Sequence, residues 1–131
     1  MNDCLPIKDS GEREVFQTGA QREKKRGLGA FTLIPWKIIW DLSKYFEAGA
    51  EQKGARNWEK GIPVSSYLNS TLRHLARYMA GERDENHLMA AVWNLVCCLW
   101  TKWQIACGNL PADLDDIEAD LVKQQIKEGR P

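Results

Sequence analysis

The sequence predicts an all-α protein, a bundle of about four helices completed by oligomerisation. Apolar residues recur at helical spacing in four stretches, and no strand-like alternation of any length interrupts them. The third stretch is apolar on most of its circumference, more than one protomer can cover. At 131 residues the chain fits one domain with tails: a flexible arm at 1–15, a helical domain at 16–110, and a C-terminal helix and tail at 111–131.

Eighteen basic and eighteen acidic side chains cancel, so no global field draws the chain to a nucleic-acid polymer or a membrane surface. Recognition of any anion falls to local charge. The longest apolar run, residues 95–100, is too short to span a bilayer. No basic segment followed by an apolar one opens the chain, so the expected location is cytoplasmic. The four cysteines, Cys4, Cys97, Cys98 and Cys107, have no paired CxxC spacing, which fits a reducing compartment without a disulfide framework.

Residues 1–13 read as a polar arm. In 18–30, Arg22 and the basic run that follows sit among Gly19, Gly27 and Gly29, a segment able to fold over a phosphate-bearing ligand. Pro35 opens a first helix expected to reach about Gly49, with Ile39, Leu42 and Phe46 on its apolar face. Glu47 and Glu51, four apart, place two carboxylates on one side of it, and the aromatic neighbours of Glu47 favour its burial.

Glycines and Pro63 mark 49–63 as a helix end and an ordered loop carrying Arg56, Asn57, Trp58 and Lys60. A tryptophan in a polar loop is either tucked into the core or stacked on a ligand base. Ser65 or Ser66 can cap a second helix running to about Ala80, with Leu68, Leu72, Leu75 and Met79 as its apolar stripe. Tyr67, Thr71, His74 and Tyr78 line one border of that stripe, and Arg73 lies round the other side.

The third helix is expected from Asp84 to about Ala106. One narrow stripe breaks its apolar surface: Asp84, His87, Ala91, Asn94, Cys98 and Thr101 fall within about 60° of His87. Polar residues inside an apolar helix must face partners, because unpaired burial is costly. A last amphipathic segment, 112–128, carries Leu114, Ile117 and Leu121.

Both histidines of the chain, His74 and His87, lie between Arg56 and Asn94 and flank Glu82, Asp84 and Glu85. Carboxylates, imidazoles and nearby arginines suit a site for a metal and a phosphate. The structural alternative is a set of inter-helix hydrogen bonds, and a border histidine such as His74 is more often of that kind.

Gly49-Ala50, Gly54, Arg56-Asn57-Trp58, Lys60-Gly61, Pro63, Tyr67-Leu68, Arg73-His74, Gly81-Glu82, Asp84, His87-Leu88, Ala90 and Asn94 resemble the phage dATP/dGTP diphosphohydrolase family. That family is similar to the all-α MazG-like nucleotide pyrophosphohydrolases. Thr18-Gly19-Ala20, Arg22 and Leu33-Ile34-Pro35 also match, so the likeness runs from about 16 to about 110. Two departures stand out: Gln52-Lys53 precede Gly54, where many members have Lys-Tyr, and the ExxE…ExxD spacing of MazG-like enzymes is not reproduced.

The resemblance implies hydrolysis of a purine deoxynucleoside triphosphate to monophosphate and pyrophosphate with Mg2+ or Mn2+. On that reading Glu47, Asp84 and His87 are the catalytic set and hold the metal, with Glu51 and His74, or Glu82 or Glu85, as further ligands. Arg22, Lys53, Arg56, Asn57, Trp58, Lys60, Arg73 and Asn94 would bind the substrate, with Trp58 stacking on the purine. A competing class is a phage module that sequesters a signalling nucleotide without cleaving it.

Overall fold

The computed structural model describes residues 11–24 and 27–130. The expected arm lies mostly outside that range. Within it, β1 (Arg13–Val15) and β2 (Gln21–Glu23) form an antiparallel hairpin with Glu14 opposite Arg22. The alternation reading missed this hairpin because three-residue strands are too short to show a period, and both strands are largely exposed.

Four α-helices make up the rest: α1 (Trp36–Lys53), α2 (Val64–Met79), α3 (His87–Ala106) and α4 (Ala119–Gly129). The all-α class holds. Helix α1 continues past Gly49 and stops at Gly54, whose φ of 91° is open to glycine and strained for other residues. Lys53 therefore sits in the last helical turn instead of a loop. The loop after it contains a 3-10 turn at Asn57–Lys60, entered through Arg56 at φ 59°. Arg56 is the one non-glycine residue with positive φ among the described residues, a conformation that costs energy and often marks a working loop.

The start of α2 departs from the expected serine cap. Pro63 precedes the helix without a side-chain cap. Instead Asp116, 51 residues further on, accepts from the Ser65 backbone N–H at 2.8 Å and from Ser65 Oγ at 2.5 Å. These bonds hold the Asp116 carboxyl below the usual range and meet one of the orphan N–H groups of the first turn. Helix α3 starts at His87, capped by Asn86 Oδ1 accepting from the Met89 N–H at 3.0 Å, so Asp84 lies in the turn before the helix.

Helices α2 and α3 form an antiparallel hairpin, and α1 packs across α3. A chain of rings joins α1, the loop after it and α3: Tyr45 to Trp93 at 6.2 Å, Trp93 to Phe46 at 5.8 Å, Phe46 to Trp58 at 5.7 Å and Trp58 to Trp100 at 4.9 Å. The inner seam of the hairpin is built from Val64, Tyr67 and Thr71 on α2 against His87, Ala91, Asn94, Cys98 and Thr101 on α3. The leucine stripe expected to bury α2 is split: Leu72 is 65% and Met79 78% exposed, while Leu68 and Leu75 are half-buried, Leu68 against the core. Small residues let two helices approach closely, and the seam selects them.

Cys97 and Cys98 are buried free thiols, and burial pushes Cys97 up to about 12. Cys107 is disulfide-bonded, which departs from the reading of a wholly reduced set. Among the described residues no helix is long and apolar enough to cross a membrane. Every residue of α4 is exposed among the described residues, Leu121, Val122 and Ile126 included.

Candidate functional site

A cavity of about 520 Å3 opens between α1, the loop after it, and the α2–α3 hairpin. Tyr45, Phe46, Trp58 and Trp93 give it aromatic walls, and Lys53, Arg56, Asn57, Asn94 and Glu85 give it charge and polarity. Its size suits a small organic ligand with a ring system. The indole N–H of Trp93 is buried without a hydrogen-bond partner, which leaves an unspent donor on a residue of the cavity wall. Asn94 commits Nδ2 to the Ala90 carbonyl at 2.8 Å, so the part of its amide left for a ligand is the acceptor Oδ1.

Tyr67 is also a wall residue, but its phenol serves the core. Burial pushes it up to about 12, with the Thr101 hydroxyl opposing. That hydroxyl is close enough to act on the phenol but donates to the Cys97 carbonyl at 2.9 Å, so Tyr67 Oη has no partner in hydrogen-bond geometry.

At one edge of the cavity the turn between α2 and α3 brings the two histidines together. His74 Nδ1 lies 3.1 Å from His87 Nδ1, and Glu85 Oε1 lies 3.4 Å from the first and 3.3 Å from the second. His87 is buried, and its Nε2 meets Asp84 Oδ1 at 2.9 Å. This bond, followed by the backbone N–H of Asp84 itself and the charge of Arg77, holds the Asp84 carboxyl below its usual range. Arg77 threads the acids, with Nε 2.6 Å from Glu82, Nη2 2.9 Å from Asp84 and Nη1 3.6 Å from Glu85. Two overlapping groups therefore converge on His87: His74 with Glu85, and Glu82 with Asp84.

Glu47 and Glu51 do not join them. Both are exposed, and Glu47 lines a shallower neighbouring depression with Arg56 and Trp58. The expected burial of Glu47 fails because α1 turns Phe46 inward against Trp58 and Trp93, which leaves residue 47 on the solvent side. Of the residues expected to bind substrate, Lys53, Arg56, Asn57, Trp58 and Asn94 share the cavity. Arg22 is exposed on β2, and Lys60 is exposed on the 3-10 turn. Arg73 is exposed and bonds Ser70 Oγ at 2.9 Å, so it reaches the cavity only through that serine. Trp58 packs against Phe46 and Trp100 and also lines the cavity.

Residues 18–108 match the family described as dATP/dGTP diphosphohydrolase, N-terminal. The chain belongs to that family. The match contains the cavity, the histidine pair and all three helices that build them, and excludes α4. No curated protein and no solved structure matches the chain. Within the dATP/dGTP diphosphohydrolase family match, sequence reasoning underweighted Glu85, whose visible signal was its place in the acidic cluster between the histidines. Trp93 and Ser70 carried no signal apart from their helices, because only packing sets which side of a helix meets a cavity.

Proposed function

We propose that this cavity binds a purine deoxynucleoside triphosphate and cleaves it to monophosphate and pyrophosphate. One observation carries the reading: Glu85 lines the aromatic cavity and at the same time touches both histidines. A base-sized aromatic chamber and a potential cation site thus share a wall. The family match supports the substrate class.

In the reaction, water adds to the α-phosphorus, the bond from that phosphorus to the bridging oxygen breaks, and pyrophosphate leaves. Glu85 Oε2, the oxygen not turned to the histidines, accepts the proton of the attacking water. Lys53 and Arg56 meet the negative charge of the leaving pyrophosphate. Arg56 also pairs with Glu59 at 2.7 Å, which steadies the guanidinium while leaving most of its donors available. Trp58, Phe46 and Trp93 enclose the base, with Asn94 Oδ1 as an acceptor for its edge. A divalent cation, Mg2+ or Mn2+ by the resemblance, would screen the phosphates and make water more acidic. The candidate donors for a divalent ion are those around His87, not the exposed Glu47 and Glu51.

The same reading makes the chain one protomer of a homo-oligomer. Leu72, Met79, Leu95, Leu99 and Trp103 form outer surfaces of the hairpin that a second copy would cover.

The test incubates the protein with each dNTP and Mg2+ or Mn2+ and separates the products chromatographically. Monophosphate and pyrophosphate in equal amounts from dATP or dGTP are expected. Asp84→Asn should cost about 10–100-fold, since it loosens the group that orients His87. Tight binding with no product from any dNTP would favour sequestration and sink the hydrolytic reading.

A further inference from the structure

The two acid–histidine groups around His87 differ in whether they are already satisfied. Glu82 and Asp84 are held by Arg77 at 2.6 and 2.9 Å, and Asp84 also takes His87 Nε2. That group is complete without a ligand. In the other, His74 Nδ1, His87 Nδ1 and Glu85 Oε1 form a triangle with edges of 3.1, 3.3 and 3.4 Å. Because Asp84 receives the hydrogen on His87 Nε2, His87 Nδ1 presents its lone pair to the triangle. One proton can bridge only one edge, which leaves lone pairs facing each other along the rest. The single outside counter-charge, Arg77 Nη1, stands 3.6 Å from Glu85.

A cation at the centre would satisfy all three atoms at once. For ligands about 2.0–2.2 Å from an ion, neighbouring donors lie about 2.8–3.1 Å apart in octahedral and about 3.3–3.6 Å apart in tetrahedral geometry. The three edges fall within that span. The carboxylate behind His87 is the arrangement that fixes a ligating imidazole in place.

We infer that His74, His87 and Glu85 form a three-donor site for an imidazole-preferring divalent ion of the Co2+ and Zn2+ class, with Asp84 as a positioning residue. Two nitrogens among three donors disfavour Mg2+, which binds oxygen and keeps its water. The site deepens the proposed hydrolytic reading, since Glu85 also faces the cavity, but metal binding alone tests it.

The full chain, stripped with a chelator, is titrated with MgCl2, MnCl2, CoCl2 and ZnCl2 by calorimetry, and the Co2+ form is followed by its visible d–d absorption. Affinity should rise from Mg2+ through Mn2+ to Co2+, with Co2+ at least about tenfold tighter than Mn2+. His74→Gln and Glu85→Gln should each weaken Co2+ by at least about tenfold and change its bands, with helicity by circular dichroism retained. Glu85→Gln keeps the test alive if His74→Gln fails to fold, since Glu85 is well exposed. Asp84→Asn should weaken Co2+ but keep the band shape, because the ligands are unchanged.

Mg2+ binding as tightly as Co2+, Co2+ without visible bands, or unchanged Co2+ affinity in either ligand variant would overturn the site. Binding of dGTP to the stripped protein, measured separately by equilibrium dialysis, tells the two readings apart. Its absence beside intact Co2+ binding strikes the nucleotide cavity, and its presence without Co2+ binding strikes the metal site.

Discussion

The two faces of the α2–α3 hairpin are inverted relative to a simple oil drop. The inner seam holds Thr71, His87, Asn94 and Thr101 among small residues, all buried. The outer surface carries Leu72, Met79, Leu95 and Leu99, all exposed in the protomer. Close approach of two helices explains the first choice. Threonine and asparagine fit a narrow seam and satisfy themselves locally, Thr71 on the Tyr67 carbonyl, Asn94 on Ala90 and Thr101 on Cys97, each four residues back. A polar seam can therefore be buried with few unsatisfied groups. The outer leucines have no such account among the described residues, and the difference teaches that the hairpin concentrates its close packing on the polar seam and leaves apolar side chains outside, where the proposed second copy would cover them.

The strongest way to break the comparison is to enlarge the seam. Ala91 is buried in it, and Ala91→Leu should cost about 1–3 kcal/mol by overpacking, read as a lower urea midpoint with an unchanged slope. A neutral Ala91→Leu would mean that the seam is loose and that small residues are there for another reason.

The outer face should respond differently. Leu99, 70% exposed, changed to Lys should shift the folding stability of an isolated protomer by no more than about 0.5 kcal/mol. If a second copy covers that face, the same substitution converts an oligomer to a monomer in light scattering at micromolar concentration. A wild type that is already monomeric there would leave the outer leucines without the cover proposed for them.

The smallest expected effect concerns pH. The Asp116 carboxyl, held low by Ser65, contributes stability that is present above the ordinary carboxylate value of about 3.9 and lost as pH falls through its lower folded value. Asp116→Asn should therefore lower the melting midpoint at neutral pH and flatten its fall below about pH 4. Equal acid sensitivity in both proteins would show that the cap on α2 is not formed in solution.

Local sequence signals were enough for the four helices, for the loop around Arg56-Asn57-Trp58 and for the stripe from His87 through Asn94 to Thr101. Helical periodicity is a property of neighbours three and four residues apart, and polar residues in an apolar helix are visible wherever they point. The gathering of both histidines with Glu82, Asp84 and Glu85 was legible too, since all lie within one turn and its flanks. Tertiary structure alone decided which stripe of α2 faces inward, because two stripes were plausible and only the packing partner separates them. It placed Glu85, not Glu47, against the imidazoles: α1 rotates to put Phe46 between Trp58 and Trp93, and that rotation sends Glu47 outward. It also supplied the cap of α2 from Asp116, 51 residues away, where no local pattern could announce it. Contacts over such distances depend on where the chain returns, and that follows from the packing of whole helices, not from the residues beside Ser65.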